Sequence, residues 1–424
     1  MRQDIKSTQN VSTSILSILI LTLLIVFYFY ENILRIVPTV VTQDITTIYH
    51  LNAKYLGLLV AAFYLTYAPM QLLVGSLLDR YGAKWLLTIA AILCALGIAL
   101  FGVGDSYLVV FSARLLMGLG ASFAFVCAIN VLNLVVHEKY FAMMTGVVIA
   151  IGVLGSIVGH VLLRYLMLDA GWQRGCFYLF LFGLGLALAT FILFCKKNII
   201  QLNVSFTPNI YSFAALKADL RLLLSNRQFW VNSVIAAFFY IPILGFTTTW
   251  QTSFLQQVRY FDFDMASNSL LIVFLGWGLG APFFGWLSQK IKRERLLISL
   301  AAAVTTLLLA MIIYVPHLTF FQMHLLLFLF GFCASIHAIN FSIAKRLAPK
   351  RMLATAIALT NMVIMIGSII VCLLGVLLDW LWKGEFVQQL PQYSEANYQV
   401  AFLVLLLVAF VALILSFFLK ESYE

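Results

Sequence analysis

The sequence predicts an all-α membrane protein in which twelve transmembrane helices form two pseudo-symmetric six-helix bundles. Of its 424 residues, 63% are hydrophobic and only 10% are charged, whereas a soluble domain is about half apolar and a quarter charged. A helix that spans a bilayer needs about 20 apolar residues, so this length allows roughly twelve. Short motifs of the first half also return in the second half, which predicts an internal repeat.

The apolar residues fall into twelve runs separated by short polar connections. A polar, basic stretch at residues 198–228 follows the sixth run, so we expect an N-terminal bundle at 1–197, a linker at 198–228 and a C-terminal bundle at 229–424. The runs cover residues 14–37, 55–78, 85–103, 106–136, 141–168 and 176–195 before the linker, and residues 229–255, 266–287, 296–315, 320–344, 354–382 and 398–419 after it.

The basic residues predict which way the chain crosses the membrane. If the termini and the linker lie on one side, that side holds 19 of the 26 Lys and Arg residues, the other side holds 4, and 3 lie within runs. Connections rich in Lys and Arg stay in the cytoplasm. We therefore expect a protein of the bacterial inner membrane with both termini in the cytoplasm. The net charge of +10 then reflects this topology, and we expect no nucleic-acid partner.

The internal repeat rests on small residues at matching places in the two halves. Parallel halves of this kind are typical of secondary transporters. Gly75 has a counterpart in Gly285, Gly118–Ser122 recurs as Gly331–Ser335, and Ala142 and Gly155–Ser156 recur as Ala354 and Gly367–Ser368.

A charged, glycine-bounded turn separates the second and third runs, at Gly75, Leu77, Asp79, Arg80, Gly82 and Lys84. These residues resemble the signature loop G-x-L-x-D-R-x-G-x-[RK] of the major facilitator superfamily, and the stretch from Arg114 to Ser122 resembles that family's R-x-x-x-G-x-G-x-[AS] helix. The alternative is a tight charged loop between any two membrane helices. The resemblance implies two bundles around a central cavity, with a gating role for Gly75, Asp79, Arg80, Gly82 and Lys84.

The first run carries the most informative polar residues, Glu31 and Arg35. They lie one helical turn apart, in the favourable order for an ion pair. Glu31 is a candidate for carrying a proton, and Arg35 offers a planar donor fork for a carboxylate or phosphate; the alternative is a structural pair near the outer end of the helix. Tyr64 and Tyr67 of the next run are candidates for shaping the cavity and binding the substrate. Together with them, the stretch around Glu31 resembles a bacterial group of the superfamily that includes nutrient and organic-anion carriers and has the lysosomal dipeptide carrier as a distant relative.

Five further residues are candidates for binding a substrate. Arg114 would be costly within hydrocarbon unless paired or hydrated, although it could anchor at the outer interface. Tyr240 and Trp250 flank a Pro- and Thr-containing part of the seventh run, which predicts a bent helix at a cavity. His337 and Asn340 are three residues apart in the tenth run, and packing is the alternative role for the histidine.

The sequence lacks a glycine-rich phosphate loop, an H-E-x-x-H motif, a nucleophile elbow and Cys/His metal spacing. We therefore expect no enzyme, no cofactor and no metal site. The predicted function is proton-coupled transport by alternating access of an amino acid, short peptide or organic anion, by a monomer in the lipid bilayer. The alternatives are a drug or metabolite efflux antiporter of the same fold and, from another class, a non-transporting membrane sensor or assembly partner.

Overall fold

The computed structural model describes residues 15–49, 51, 53–81, 84–195, 220–349, 352–367, 369–382, 384, 386–387 and 390–421. Within these residues the chain is almost entirely helical, and eleven helices are long and apolar enough to cross a membrane. The remaining apolar run, the eleventh, consists of two shorter helices on either side of Gly367. The all-α prediction with twelve spans is therefore confirmed.

The first six spans form one bundle. They are separated by short turns, of which the last reverses at Gly171 with a φ of +77°. The first four spans are Ile15–Val40, Ala53–Tyr81, Lys84–Val103 and the pair Tyr107–Ala121 and Ala124–Val135, and the fifth and sixth are Phe141–Ala170 and Trp172–Cys195; a short helix, Thr42–Ile48, lies between the first two.

The last six spans form the second bundle. Three of them are interrupted, and the seventh changes to a π-helix directly after Pro242, which lacks the backbone N–H that an α-helix uses. The seventh span is Arg227–Pro242, Ile243–Trp250 and Gln251–Gln257; the others are Phe263–Ile291, Glu294–Tyr314, Phe320–Ala334 with Ala338–Leu347, Leu353–Ile366 with Ile369–Leu381, and Glu395–Ser416.

The packing of the spans follows a two-fold pattern. In the first bundle, the third span packs on the fourth and on the sixth, and the first span packs on the fifth. The equivalent contacts recur in the second bundle, where the ninth span packs on the tenth and on the twelfth, and the seventh packs on the eleventh. The bundles meet where the second span packs on the eleventh and the fifth on the eighth. These two contacts are equivalent under the repeat, as expected for two halves that can rock against each other.

The repeat glycines Gly75 and Gly285 allow the two bundles to approach closely at both of these contacts. A Cβ added at Gly75 would lie 2.6 Å from the Cα of Thr355, and one added at Gly285 would lie 2.4 Å from the carbonyl oxygen of Ala142. Both distances are below any tolerable carbon contact, so only glycine fits. Because the two contacts lie near the ends of spans that face the linker, the halves are closed on that side, which we call the linker side.

Part of the predicted gating loop lies outside the described residues. The second span continues through Tyr81 and the third begins at Lys84, but the side chains of Asp79, Arg80 and Lys84 and the whole of Gly82 are not among the described atoms. Their gating role stays a prediction. The same holds for the bundle boundaries around residues 198–228, because residues 196–219 are outside the described part.

The connection between the last two spans contains the one pair of strands in the described residues. Phe386–Val387 pairs antiparallel with Leu390–Pro391. This two-residue ladder lies outside the bundles and leaves the helical fold class unchanged.

Candidate functional site

The predicted pair Glu31 and Arg35 lies inside the protein, on the face of the first span that meets the other bundle. Arg35 Nη2 donates to Glu31 Oε1, and the Glu31 side chain is fully buried while 12% of the Arg35 side chain is exposed. The ion pair leaves one polar atom of each side chain without a hydrogen bond, because Glu31 Oε2 and Arg35 Nε have no partner among the described residues. Buried charges normally gain a full set of partners, so this arrangement leaves polar atoms free to bind a further group.

Aromatic rings of the second span surround the Arg35 guanidinium. Its central carbon lies 5.6 Å from the ring centre of Phe63, 5.9 Å from that of Tyr64 and 5.2 Å from that of Tyr67. Ring faces attract a cation at such distances. The predicted residues Tyr64 and Tyr67 therefore hold the arginine in place together with Phe63, which the sequence did not single out.

Two hydrogen bonds join the halves at this level. Arg35 Nη1 donates to the Tyr240 hydroxyl of the seventh span over 3.2 Å, and Asn361 Nδ2 of the eleventh span donates to the Tyr67 hydroxyl over 3.1 Å. Residues from four spans thus meet at one place between the bundles. Any separation of the halves here must break both bonds.

The ring of Tyr240 continues into an aromatic group of the second half. Its centre is 5.7 Å from that of Trp277 and 6.0 Å from that of His337, and the last two are 5.4 Å apart. His337 Nδ1 lies 3.2 Å from the Ala334 carbonyl oxygen and donates to it. Sequence reasoning missed Trp277, although its place between Gly276 and Gly278 marks a close helix contact.

Arg114 is fully buried against the backbone of the first span. Its Nη1 donates to the Leu34 carbonyl over 2.8 Å and its Nη2 to the Arg35 carbonyl over 3.2 Å, while the ring centre of Phe63 is 4.9 Å away. The Leu34 carbonyl would normally accept from the N–H four residues later, but that residue is Pro38. Arg114 therefore supplies the donor that the proline lacks.

Towards the linker side, a pair of phenylalanines closes the gap between the halves. The rings of Phe125 on the fourth span and Phe341 on the tenth are 4.8 Å apart, and both side chains are buried. Tyr28 packs on Phe125 from the first span, 5.3 Å away. The site around Arg35 is thus separated from the linker side by a layer of rings.

Comparison with known proteins places this fold in a family. The model of the Major Facilitator Superfamily matches residues 18–372 and, in a second match, residues 272–424. The chain belongs to this superfamily. It is accordingly a transport protein of the membrane and not an enzyme.

Curated members of the superfamily resemble the chain over part of their length. The probable sulfoacetate transporter of Cupriavidus necator is 24% identical over 65% of this chain and 66% of its own. The probable L-galactonate transporter of Escherichia coli is 25% identical over 56% of this chain and 54% of its own. The hexuronate transporter of Bacillus subtilis is 24% identical over 67% of each chain.

Solved structures of the superfamily match the fold over almost the whole chain. The transporter FucP in its outward conformation has a TM-score of 0.70 and 17% identity, covering 96% of this chain and 100% of that one. A variant of the Escherichia coli fucose:proton symporter FucP has a TM-score of 0.71 and 16% identity, covering 96% and 99%. At such identities the likeness extends to the fold alone.

Within this superfamily fold, two predicted residues lie away from the Arg35 group. Trp250 packs its ring against Tyr393, 6.2 Å away, near the end of the seventh span opposite the linker side. Asn340 is fully buried and exchanges hydrogen bonds with Asn232, inside the second bundle. The structure therefore groups Glu31, Arg35 and the tyrosines, and it leaves Trp250 and Asn340 outside that group.

Proposed function

We propose that the protein moves a small organic anion across the bacterial inner membrane together with protons, by alternating access. The observation that carries this proposal is the buried Glu31–Arg35 pair, whose arginine is hydrogen-bonded to Tyr240 of the opposite half. Ionisable residues at this depth in a membrane protein are costly in free energy, and they mark substrate and proton pathways. Its place between the halves means that the rocking motion acts directly on it.

The charges around the site favour an anionic substrate. Arg35 and Arg114 provide two positive charges, and the one carboxylate that forms an ion pair with them among the described residues is Glu31, which pairs with Arg35. Arg114 donates to backbone carbonyl oxygens instead. An excess positive charge in a low-dielectric place attracts a carboxylate or sulfonate strongly. The names of three relatives, which refer to sulfoacetate, L-galactonate and hexuronate, support the same class.

Competition for Arg35 gives a simple coupling mechanism. A substrate carboxylate that binds the Arg35 guanidinium displaces the Glu31 carboxylate from it. An unpaired carboxylate inside the membrane is unfavourable, so Glu31 takes up a proton at that moment. The substrate and the proton then cross together. When the substrate leaves on the opposite side of the membrane, Glu31 releases its proton to that side and its carboxylate pairs with Arg35 again.

The Glu31→Gln variant tests this coupling. Gln keeps the size and a hydrogen bond to Arg35 but carries no proton, so in proteoliposomes we expect counterflow to persist and uphill uptake driven by a pH gradient to be lost. Glu395→Gln, at an exposed carboxylate far from the site, is the control and keeps both activities. Uphill uptake by Glu31→Gln would contradict the proposal.

A thermal-shift screen of the purified protein can identify the class of substrate. We expect stabilisation by sulfoacetate, sugar acids or other small organic anions, and little by neutral sugars. Amino acids and dipeptides test the remaining classes predicted from the sequence. Stabilisation by zwitterions and not by anions would overturn the anionic class while leaving the transporter fold untouched.

A drug efflux antiporter is the second candidate. It is supported by a match to multidrug resistance protein 1 of Bacillus subtilis, 29% identical over 108 residues and 26% of this chain. Expression in a drug-sensitive bacterial host distinguishes the two, because an exporter raises resistance and an organic-anion symporter does not. Absence of counterflow with every anion and drug would instead favour the sensor or assembly role.

The proposed topology places both termini and the linker in the cytoplasm, and we propose that the monomer is the transporting unit. Alkaline phosphatase fused after the C-terminal residue should then be inactive, because it folds only outside the cytoplasm, and a fluorescent protein fused there should fluoresce. The monomer is tested by light scattering of the purified protein.

A further inference from the structure

A cleft of about 400 Å³ opens on the linker side, at the seam between the two halves. It lies beyond the Phe125–Phe341 layer and shares no residue with the site around Arg35. The first half contributes the connection between the fourth and fifth spans, and the second half contributes the ends of the eighth and tenth. The lining residues are Glu138, Lys139, Phe141, Ala142, Gln289, Lys292, Ser342, Lys345 and Arg346.

The cleft carries an excess of positive charge. Four of its lining residues are cations and one is acidic. Arg346 is already engaged, because its guanidinium pairs with the buried carboxylate of Glu294. Lys139, Lys292 and Lys345 form no direct ion pair with the described residues, although the Glu138 carboxylate attracts Lys345 across the cleft. One carboxylate offsets one of these three charges, so the lysines keep an excess of positive charge for an anion from outside.

One lysine bridges the halves. The Lys345 ammonium of the tenth span lies 4.0 Å from the ring centre of Phe141, which begins the fifth span. A cation over an aromatic ring keeps donors free for other partners, since the ring face accepts no full hydrogen bond. This contact therefore leaves Lys345 able to bind an anion.

A further observation indicates a ligand. The Ser342 hydroxyl, on a residue that is only 2% exposed, has no hydrogen-bond partner among the described residues, although buried hydroxyl groups normally have one. Ser342 lines the cleft beside the lysines, so an anion bound there would supply the missing partner.

We propose that this cleft binds a phosphate-bearing anion, either soluble or the headgroup of an anionic lipid. Lysines bind phosphate as point charges around its oxygens, and a serine hydroxyl adds a donor. Several lysines around one cleft also match the two negative charges of a phosphate better than the single charge of a carboxylate. Because both halves line the cleft, its occupant stabilises the arrangement that is closed on the linker side.

Binding is tested on the purified full-length protein without any transport substrate, so the result does not depend on the proposed coupling. In detergent, inorganic phosphate is titrated calorimetrically. In nanodiscs, the thermal unfolding midpoint is compared between phosphatidylcholine alone and phosphatidylcholine with phosphatidic acid. Binding of inorganic phosphate assigns a soluble anion, and stabilisation by phosphatidic acid alone assigns a lipid headgroup.

Substitutions distinguish a built site from general surface charge. We expect Lys292→Gln to weaken binding about tenfold, as removal of one close charge does. Lys290→Gln removes the same charge two residues away, where the lysine lies over the Trp286 ring and does not line the cleft, and it should bind as the unsubstituted protein does. Lys139→Gln, at an exposed position, gives a second cleft variant that leaves the helices intact.

Absence of binding in both the phosphate and the phosphatidic acid experiments would overturn the proposal. Equal losses in Lys292→Gln and Lys290→Gln would also overturn it, because they would indicate diffuse attraction to the basic surface.

Discussion

The two halves of the protein share their packing and differ in their chemistry. The alignment that places Gly118 on Gly331 also places Arg114 opposite Leu327, and both of these side chains are fully buried at equivalent places in the fourth and tenth spans. Both glycines also touch the neighbouring span in the same way. A Cβ at Gly118 would lie 2.1 Å from the Phe63 carbonyl oxygen, and one at Gly331 would lie 2.1 Å from that of Val273.

The same division holds for the first and seventh spans. The first carries Glu31 and Arg35, whereas the seventh has no charged residue after Arg227 and contributes the Tyr240 hydroxyl and a π-helical segment instead. Small residues recur because both bundles need the same close helix contacts. The pathway residues are not bound by that need, so one half presents the charges and the other presents neutral polar and aromatic groups.

The strongest test of this difference between the halves replaces Arg114 by leucine, the residue at the equivalent place in the second half. Arg114→Leu removes the guanidinium that donates to the Leu34 carbonyl. Since Pro38 offers that carbonyl no N–H, the carbonyl is left without a partner, and the free energy of unfolding should fall by about 1–3 kcal/mol. We expect a lower thermal unfolding midpoint and loss of most uptake in proteoliposomes. The control is Leu327→Met, a change of similar volume in the other half, which should keep both.

A second substitution separates the structural role of Arg114 from a role in binding. Pro38→Ala restores a backbone N–H for the Leu34 carbonyl, so the double variant with Arg114→Leu should regain stability. If it remains inactive, the Arg114 charge acts on the substrate. Recovery of full uptake would contradict the predicted substrate-binding role and leave Arg114 as a residue that positions the first span.

The glycine contacts give the next largest effect. Gly285→Ala forces a methyl group onto the backbone of Ala142, and overpacking of this kind costs about 1–3 kcal/mol. Because the contact lies on the linker side between the halves, we expect the closed arrangement to lose population and a cysteine at Ser342 to react faster with maleimide. Gly75→Ala should act in the same direction through the equivalent contact.

Gly278→Ala is the matched control, since a Cβ there would meet its nearest neighbour at an ordinary 3.7 Å. Equal reactivity in Gly285→Ala and Gly278→Ala would show that the symmetric glycine contacts do not set the closed arrangement.

A smaller effect is expected from the hydrogen bond that joins the halves. Tyr240→Phe removes the acceptor of Arg35 Nη1 and keeps the ring, so we expect the KM for uptake to rise about fivefold, as for the loss of one hydrogen bond to a charged group. Tyr64→Phe removes a hydroxyl that forms no hydrogen bond with Arg35 and should leave KM nearly unchanged. Similar KM values in the two variants would place the substrate away from the bond between Arg35 and Tyr240.

Local features of the sequence predicted much of this arrangement. The spans follow from apolar runs, and the Glu31–Arg35 pair follows from the spacing of one helix turn, because both depend only on neighbours along the chain. The bond between Arg114 and Leu34 was not predictable, because it joins the fourth span to the first across the bundle. The sequence also predicts Trp250 as a substrate-binding residue, but its contact with Tyr393 was not predictable either, because that residue follows more than 140 positions later in the chain.

The smallest effect on transport is expected at Asn340, which the sequence predicts as a substrate-binding residue and which the structure places inside the second bundle. Its side chain donates to the Asn232 backbone and side-chain oxygens at 3.2 Å and 2.8 Å, and Asn232 donates back to the Asn340 carbonyl at 2.9 Å. Asn340→Ala should lower the free energy of unfolding by about 1 kcal/mol and leave the KM for uptake unchanged, because the pair packs within the second half. Asn232→Ala should lower the thermal unfolding midpoint by the same amount as Asn340→Ala. A raised KM in Asn340→Ala with unaltered stability would instead return Asn340 to the substrate site and extend the polar part of the pathway deep into the second half.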